Sequence, residues 1–426
     1  MKIINTLMLF FFLLITNSIT AQGPQWKEEA IKRIDLYRKN NITIHVLNEQ
    51  GLPLKNALID IKLVRHKFQF GAVVEDDFMA SKYTDIYKRN FANLFNAAGF
   101  ENGLKQKQRG NPKEKASEIA AEWFTAHNIT MRGHTLVYDG LKFLRSEEKE
   151  IITNKDLSDT EKAAKVIPLM EQHIEHGIKK WNVTAWDVLN EPIENHAAND
   201  LTPNNLVTYW FKRADYYRKL YNRPGVKLYI NENRIISGTT KDTYARPKKY
   251  KDIIREVINE GGPIEGIGFQ SRIKNGFVSP EEMYKRLQYF DEFNLSYQAT
   301  EFEVRDQPKF RYTDIQKQQI VEQFMLIYLS HPKVEGIWHW TFNNNKKGNK
   351  PWALFNYDGT PTACGKQWIK TFSKEFNTQE LLNTNNIGTA KVRGFKGDYI
   401  IRVSYKGKNK YVKLYLDKDQ EISVKM

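Results

Sequence analysis

The stretch TAWDVLNEPIEN, Thr184 to Asn195, decides how this chain is read. An apolar run of strand character ends in a polar cluster, Asp187, Asn190 and Glu191, and is stopped by Pro192. Strands ordinarily end in residues chosen for their turn angles, and a carboxylate at the edge of a core carries a desolvation cost. Glu191 at that place therefore implies a use for its side chain.

Outward from it, segments of strand character alternate with longer helical ones. The strand segments are FQFGAVV from Phe68, FANLFNAAG from Phe91, ITMRGHTLVY from Ile129, TAWDVLNE from Thr184, VKLYINEN from Val226, GIGFQSRI from Gly266, LSYQATEFEV from Leu295 and VEGIWHWTF from Val334. Helical spacing of apolar residues fills the gaps, as in SEIAAEWFTAHN (Ser117 to Asn128), EKAAKVIPLMEQHIEHGIKKW (Glu161 to Trp181) and PEEMYKRLQYFDEFN (Pro280 to Asn294). Repeated strand-then-helix units predict an α/β fold, a (β/α)8 TIM barrel over residues 67–376, with its site at the C-terminal strand ends. An open doubly wound sheet would alternate too, but it usually shows a Gly-rich phosphate loop after its first strand, and the sequence has none there.

The flanks read differently. Residues 22–66 hold a short charged helix, Lys27 to Lys39, and then a period-two pattern around Gly51-Leu52-Pro53 that predicts a β-hairpin. Residues 388–426 repeat the period-two pattern. Each flank has too few strands to be stable alone, so residues 42–66 and 388–426 are expected to pair as one small accessory β unit that braces the barrel or binds a ligand. Residues 1–21, with Lys2, an apolar run from Leu7 to Ile15 and Ala21, read as a signal peptide too short for a membrane span. Export to the periplasm, the cell surface or the medium is the expectation. A monomer without a stable membrane span is expected.

Cys364 is the single cysteine among 426 residues, which excludes an intrachain disulfide framework and a Cys-rich metal site. Lys and Arg total 65 against 50 Asp and Glu, a net charge of +15. That balance suits acidic polysaccharides or anionic envelope surfaces, or is a solvated basic surface. No basic motif with interleaved stacking residues points to nucleic acid. His173 and His176 have helical spacing without a third ligand, so an exposed helix face is expected and no metal.

The polar strand ends recur around the expected barrel: Arg132 and His134, Asn190 and Glu191, Asn231 and Glu232, Gln270 and Arg272, Glu301 and Glu303, and Trp338, His339 and Trp340. A rim of acids, amides and indoles suits sugars, whose hydroxyls take hydrogen bonds and whose apolar faces stack on Trp. Cleaving a glycosidic bond needs two carboxyl groups, and Glu191 and Glu301 are the natural pair. No cofactor is required.

With these residues in place, the sequence resembles glycoside hydrolase family 10, the retaining endo-β-1,4-xylanases. TAWDVLNEP resembles the family's acid/base segment and ATEFEV its nucleophile segment. ENGLK at Glu101, RGHTLVY at Arg132, LYINEN at Leu228, GIGFQS at Gly266, GIWHWTF at Gly336 and PWALFNYDGTP at Pro351 follow in the family's order. The resemblance covers about Phe68 to Phe372 and implies an eight-fold α/β barrel. It implies Glu191 as general acid/base and Glu301 as nucleophile. Sugar contacts fall to Glu101, Asn102, Lys105, His134, Asn190 and Gln270, and stacking to Trp340, with Asn231 and Glu303 in support.

Arg272 departs from the family's His beside the nucleophile. Tyr138 and Asp139 stand for Trp and His, Gln106 for Trp, and Glu303 for Asp. The changes at Tyr138, Asp139 and Gln106 are expected to alter stacking and sugar contacts near the cleavage site, and Arg272 with them to alter specificity, while the reaction is kept. A polysaccharide of β-1,4-xylan type is the expected substrate. The same mechanism on another β-linked, acidic or sulfated glycan, or a carbohydrate-binding protein with little turnover, stays open as an alternative.

Overall fold

The computed structural model describes residues 24–75, 78–80, 84–238, 244–274, 276–348 and 350–426. The signal-peptide segment, residues 1–21, lies outside the described residues.

Helix α1 (Gln25–Arg38) leads into β1 (Lys39–Leu47), followed by β2 (Leu58–His66). Eight parallel strands then form the barrel wall among the described residues: β3 (Gln69–Val74), β4 (Ala97–Phe100), β5 (Thr130–Val137), β6 (Ala185–Asn190), β7 (Lys227–Glu232), β8 (Gly266–Phe269), with the short β9 (Arg272–Ile273) as an extra rung, β10 (Ser296–Val304) and β11 (Val334–His339). Pairing of β11 with both β10 and β3 closes the ring. The helices around it are α2 (Thr84–Leu94), α3 (Pro112–Ala126), α4 (Ser146–Thr153), α5 (Asp159–Lys180), α6 (Leu206–Leu220), α7 (Ala245–Asn259), α8 (Pro280–Gln288), α9 (Asp314–Ser330) and α10 (Ala363–Lys370). Their apolar faces and the outer faces of the strands make one continuous core, from Phe70 and Phe91 through Trp186 and Trp210 to Trp368.

Two segments differ from their expected form. Phe91 does not open a strand: α2 runs to Leu94, burying Tyr87, Phe91 and Leu94 at helical spacing, and the strand is confined to Ala97–Phe100. A helix end and a strand start had fused into one apolar run. GIGFQSRI is broken at Gln270–Ser271, where Ser271 takes a φ of 60°, so Arg272 pairs only with the far end of β10.

The terminal strands form two further sheets, completed by β12 (Gln379–Asn383), β13 (Thr389–Phe395), β14 (Gly397–Tyr405), β15 (Lys408–Leu416) and β16 (Gln420–Lys425). Their orders are β13-β1-β16 and β12-β2-β14-β15. The hairpin expected between residues 42 and 64 is not formed. β1 lies antiparallel to β13 and parallel to β16, whereas β2 lies between β12 and β14. The reason is burial: Ile42, Ile44 and Val46 of β1 face Ile59 and Ile61 of β2 across a sandwich core shared with Ile401 and Val403. The link from Leu47 to Leu58 crosses between sheets instead of turning within one.

Candidate active site

The wall strands end at one rim, and the sequence places a polar side chain at nearly every end. Glu301 lies on the inward face of β10 and is 2 % exposed. Its Oε2 accepts Nε of Arg272 at 3.0 Å and a second, shorter bond from Nη2. Its Oε1 accepts the Asn231 amide at 3.3 Å, and His134 Nε2 stands 3.9 Å away. Burial pushes this carboxyl up, but the Arg272 guanidinium, then His134, outweigh it and hold Glu301 below the usual carboxylate range.

Those partners are themselves held. Arg272 passes Nη1 to Glu303 Oε1 at 3.0 Å and lies with its guanidinium carbon 4.5 Å from the centre of the Trp340 ring. Burial opposes its charge, but Glu303 and Glu301 raise its pKa above the ordinary arginine value. His134 Nδ1 is bonded to Asp187 at 2.8 Å, and Asp187 is clamped by Arg132, whose Nε reaches Gln298 at 2.8 Å. Asn231 donates to Asn190 Oδ1 at 2.8 Å and accepts from Thr300 at 2.7 Å, and among the described residues the Asn190 NH2 group has no acceptor.

Glu191 follows β6 with a φ of 54°, a left-handed conformation that costs a non-glycine residue about 1–2 kcal/mol. Its N–H bonds the Asn231 carbonyl at 2.8 Å, and its own carbonyl accepts Asn195 N at 3.1 Å, so the turn that aims the side chain is fixed on both sides. Gln270 donates to Oε1 at 2.6 Å and the Tyr138 hydroxyl to Oε2 at 2.6 Å. Tyr138 stacks on Phe143 at 3.5 Å between ring centroids, and its backbone N–H bonds Gln106, which is anchored on Glu148 at 2.9 Å. Burial and then the neighbouring Glu191 push the Tyr138 hydroxyl above its ordinary pKa, so it is a donor here.

Glu101, Asn102 and Lys105 come from the segment after β4. Glu101 accepts Lys350 at 2.8 Å, Asn102 accepts Lys105 at 3.3 Å, and Lys105 Nζ lies 5.7 Å from the Trp340 ring centre. The structure thus brings Glu191, Glu301, Tyr138, His134, Asn190, Asn231, Gln270, Arg272 and Glu303 into one bonded network. Lys105 joins it over Trp340, and Glu101 and Asn102 stand beside it.

Three residues take other places. Asp139, counted among the altered sugar contacts, is 2 % exposed and accepts the backbone N–H groups of Ala198 and Asn199 at 2.8 and 3.1 Å. Burial raises its pKa to about 7. His339 packs between Phe302 and Trp368, away from the rim. His173 is buried, correcting the exposed helix face, while His176 bonds Glu114 at 2.6 Å. Among the described residues no group of metal-ligating side chains is present.

Sequence reading missed Phe143 and the supporting part of Gln106, which it took as a lost indole. It also missed Lys350, between Glu101 and Glu75. Strand-end polarity is the signal it followed, and these residues lie in the connecting segments beyond the strands.

The sequence profile of glycosyl hydrolase family 10 matches residues 61–368. The chain is 25 % identical over 254 residues to endo-1,4-beta-xylanase A of Halalkalibacterium halodurans, covering 56 % of this chain and 61 % of that protein. It is 25 % identical over 402 residues to the anti-sigma-I factor RsgI6 of Acetivibrio thermocellus, covering 93 % of this chain and 49 % of that one. The chain therefore spans about half to three fifths of the length of these curated relatives. Xylanase 10B from Thermotoga petrophila, solved with xylobiose, superposes with a TM-score of 0.60 at 20 % identity over 72 % of this chain and 95 % of that one, a likeness of fold. With the profile covering most of the barrel, the chain belongs to glycosyl hydrolase family 10.

Proposed function

We propose that the chain hydrolyses a β-1,4-xylan-type polysaccharide internally and with retention, Glu301 acting as nucleophile and Glu191 as acid/base. The observation that carries this reading is the contrast between the two carboxyls. Glu301 is buried and bonded to a guanidinium and an amide, which keeps it ionised for attack. Among the described residues the Glu191 carboxyl accepts from the neutral donors Tyr138, Gln270 and Asn195 and from no cation, the arrangement that suits the acid/base part.

In the first step a Glu301 oxygen bonds the anomeric carbon while the glycosidic bond breaks and its oxygen takes the Glu191 proton. In the second, ionised Glu191 removes a proton from water, which displaces Glu301 and frees the sugar. The unused Asn190 NH2 group is placed to bind a sugar hydroxyl, and Trp340 offers an apolar face for stacking.

The leader segment and the family's polymer substrates support an exported enzyme. Release of oligosaccharides from plain xylan, compared among wild type, Glu191→Gln and Glu301→Gln, tests the reading. Glu191→Gln should lose about 10²–10⁴-fold in turnover, and Glu301→Gln should release no product. Products formed equally by all three would remove both residues from the chemistry. Sugar binding without turnover in wild type would favour a binding protein.

A further inference from the structure

The cleft wall beyond Arg272 carries more positive charge than the hydrolysis uses. Arg272 is itself committed to Glu301 and Glu303. The residues just past the ends of these two strands are different. Register sets Glu303 beside Arg272 and Val304 beside Ile273, and Arg305 N–H bonds the Ile273 carbonyl at 2.9 Å, so Arg305 and Lys274 follow side by side. Like charges placed so repel each other.

Neither is neutralised in full. Arg305 gives Nη2 to Glu303 at 2.9 Å, and its guanidinium carbon lies 3.8 Å from the centre of the Trp352 ring, a stack that fixes the plane of the fork. Its Nε and the Trp352 indole N–H are both buried without an acceptor among the described residues. The Lys274 ammonium is half-buried and has no hydrogen-bond acceptor among the described residues. The carboxylates within its electrostatic reach, Glu303 and Glu301, are already bridged by arginines. Buried donors without acceptors are costly to a fold. An oxyanion supplies what this corner lacks.

Resting on the glycosidase reading, we infer that Lys274, Arg305 and Trp352 form a subsite for a negatively charged substituent of the glycan, a carboxylate or a sulfate. Lys274 lies two residues past Arg272, about 6–7 Å along the strand, so the charged group belongs to a sugar near the one being cleaved. The planar fork of Arg305 matches either oxyanion, and Lys274 adds a point charge.

Binding to Glu191→Gln protein, measured by calorimetry, tests this without turnover. The ligands are a neutral β-1,4-xylo-oligosaccharide, the same chain bearing a uronate, and a sulfated β-linked oligosaccharide. One charged ligand should bind at least about tenfold more tightly than the neutral one, an advantage of about 1.4 kcal/mol. Salt should shrink that advantage, and adding Lys274→Met or Lys274→Gln should abolish it. Which charged ligand gains identifies the substituent. Equal affinities, or an advantage that survives both lysine variants in protein that melts like its parent, would overturn the subsite. Failure of wild type to hydrolyse xylan or the charged β-linked glycans would sink the glycosidase reading alone, since the binding comparison answers for the subsite separately.

Discussion

Arg272 occupies a place where burial and charge compete over one carboxyl. Burial favours the neutral form of Glu301, and the guanidinium favours the ionised form and wins. The sign for pH follows: with its pKa held down, Glu301 stays a nucleophile well into acid, and the acidic limb of kcat/KM lies below the usual carboxylate range. Arg272→Met leaves burial less opposed, so that limb should move to higher pH, as a pH–rate profile would show. An unmoved limb would mean that Arg272 does not set the charge of Glu301. Tyr138 makes a separate case. Removing its hydroxyl takes a donor from Glu191 and leaves the Phe143 stack, so Tyr138→Phe should lower kcat about tenfold with KM little changed, the effect of about 1.4 kcal/mol from one charge-assisted bond. Steady-state kinetics on xylan decide it.

Among the elements, α1 is tied to the barrel by the burial of Ala30 and Ile34, by the Lys27–Glu322 pair at 2.7 Å, and by Arg38 at its C-terminal end. Arg38 donates to the carbonyls of Leu329 at 2.7 Å and Val334 at 2.8 Å, and to that of His331, at the end of α9 and the start of β11. Burial lowers its pKa to about 10, which still leaves it charged at neutral pH. Arg38→Met leaves these carbonyls short of a donor and should cost about 2–4 kcal/mol in denaturant unfolding. Elements were also where sequence was least legible. The alternation in residues 42–64 marks two strands with one apolar face each, but alternation names no partner, and β1 and β2 found theirs in the C-terminal segment. Polar strand ends were legible because a wall strand has little reason to end in Glu191 or Glu301. Lys274 and Arg305 were not, because their meeting depends on the break at Ser271 that sets the register of β9.

For the whole molecule, the sandwich ties the two ends of the chain together around the barrel. Removing residues 388–426 would take both partners from β1 and β14 from β2, exposing Ile42, Ile44, Val46, Ile59 and Ile61. Thermal unfolding of the truncated chain should fall by about 10 °C or more; an unchanged Tm would make the sandwich a passenger. The central claim concerns the two carboxyls together, and the anomeric form of the first product reads their division of labour directly. Proton NMR during xylan hydrolysis should show the β-anomer released first, with no signal from Glu301→Gln. Release of the α-anomer first, or turnover by Glu301→Gln, would contradict the account.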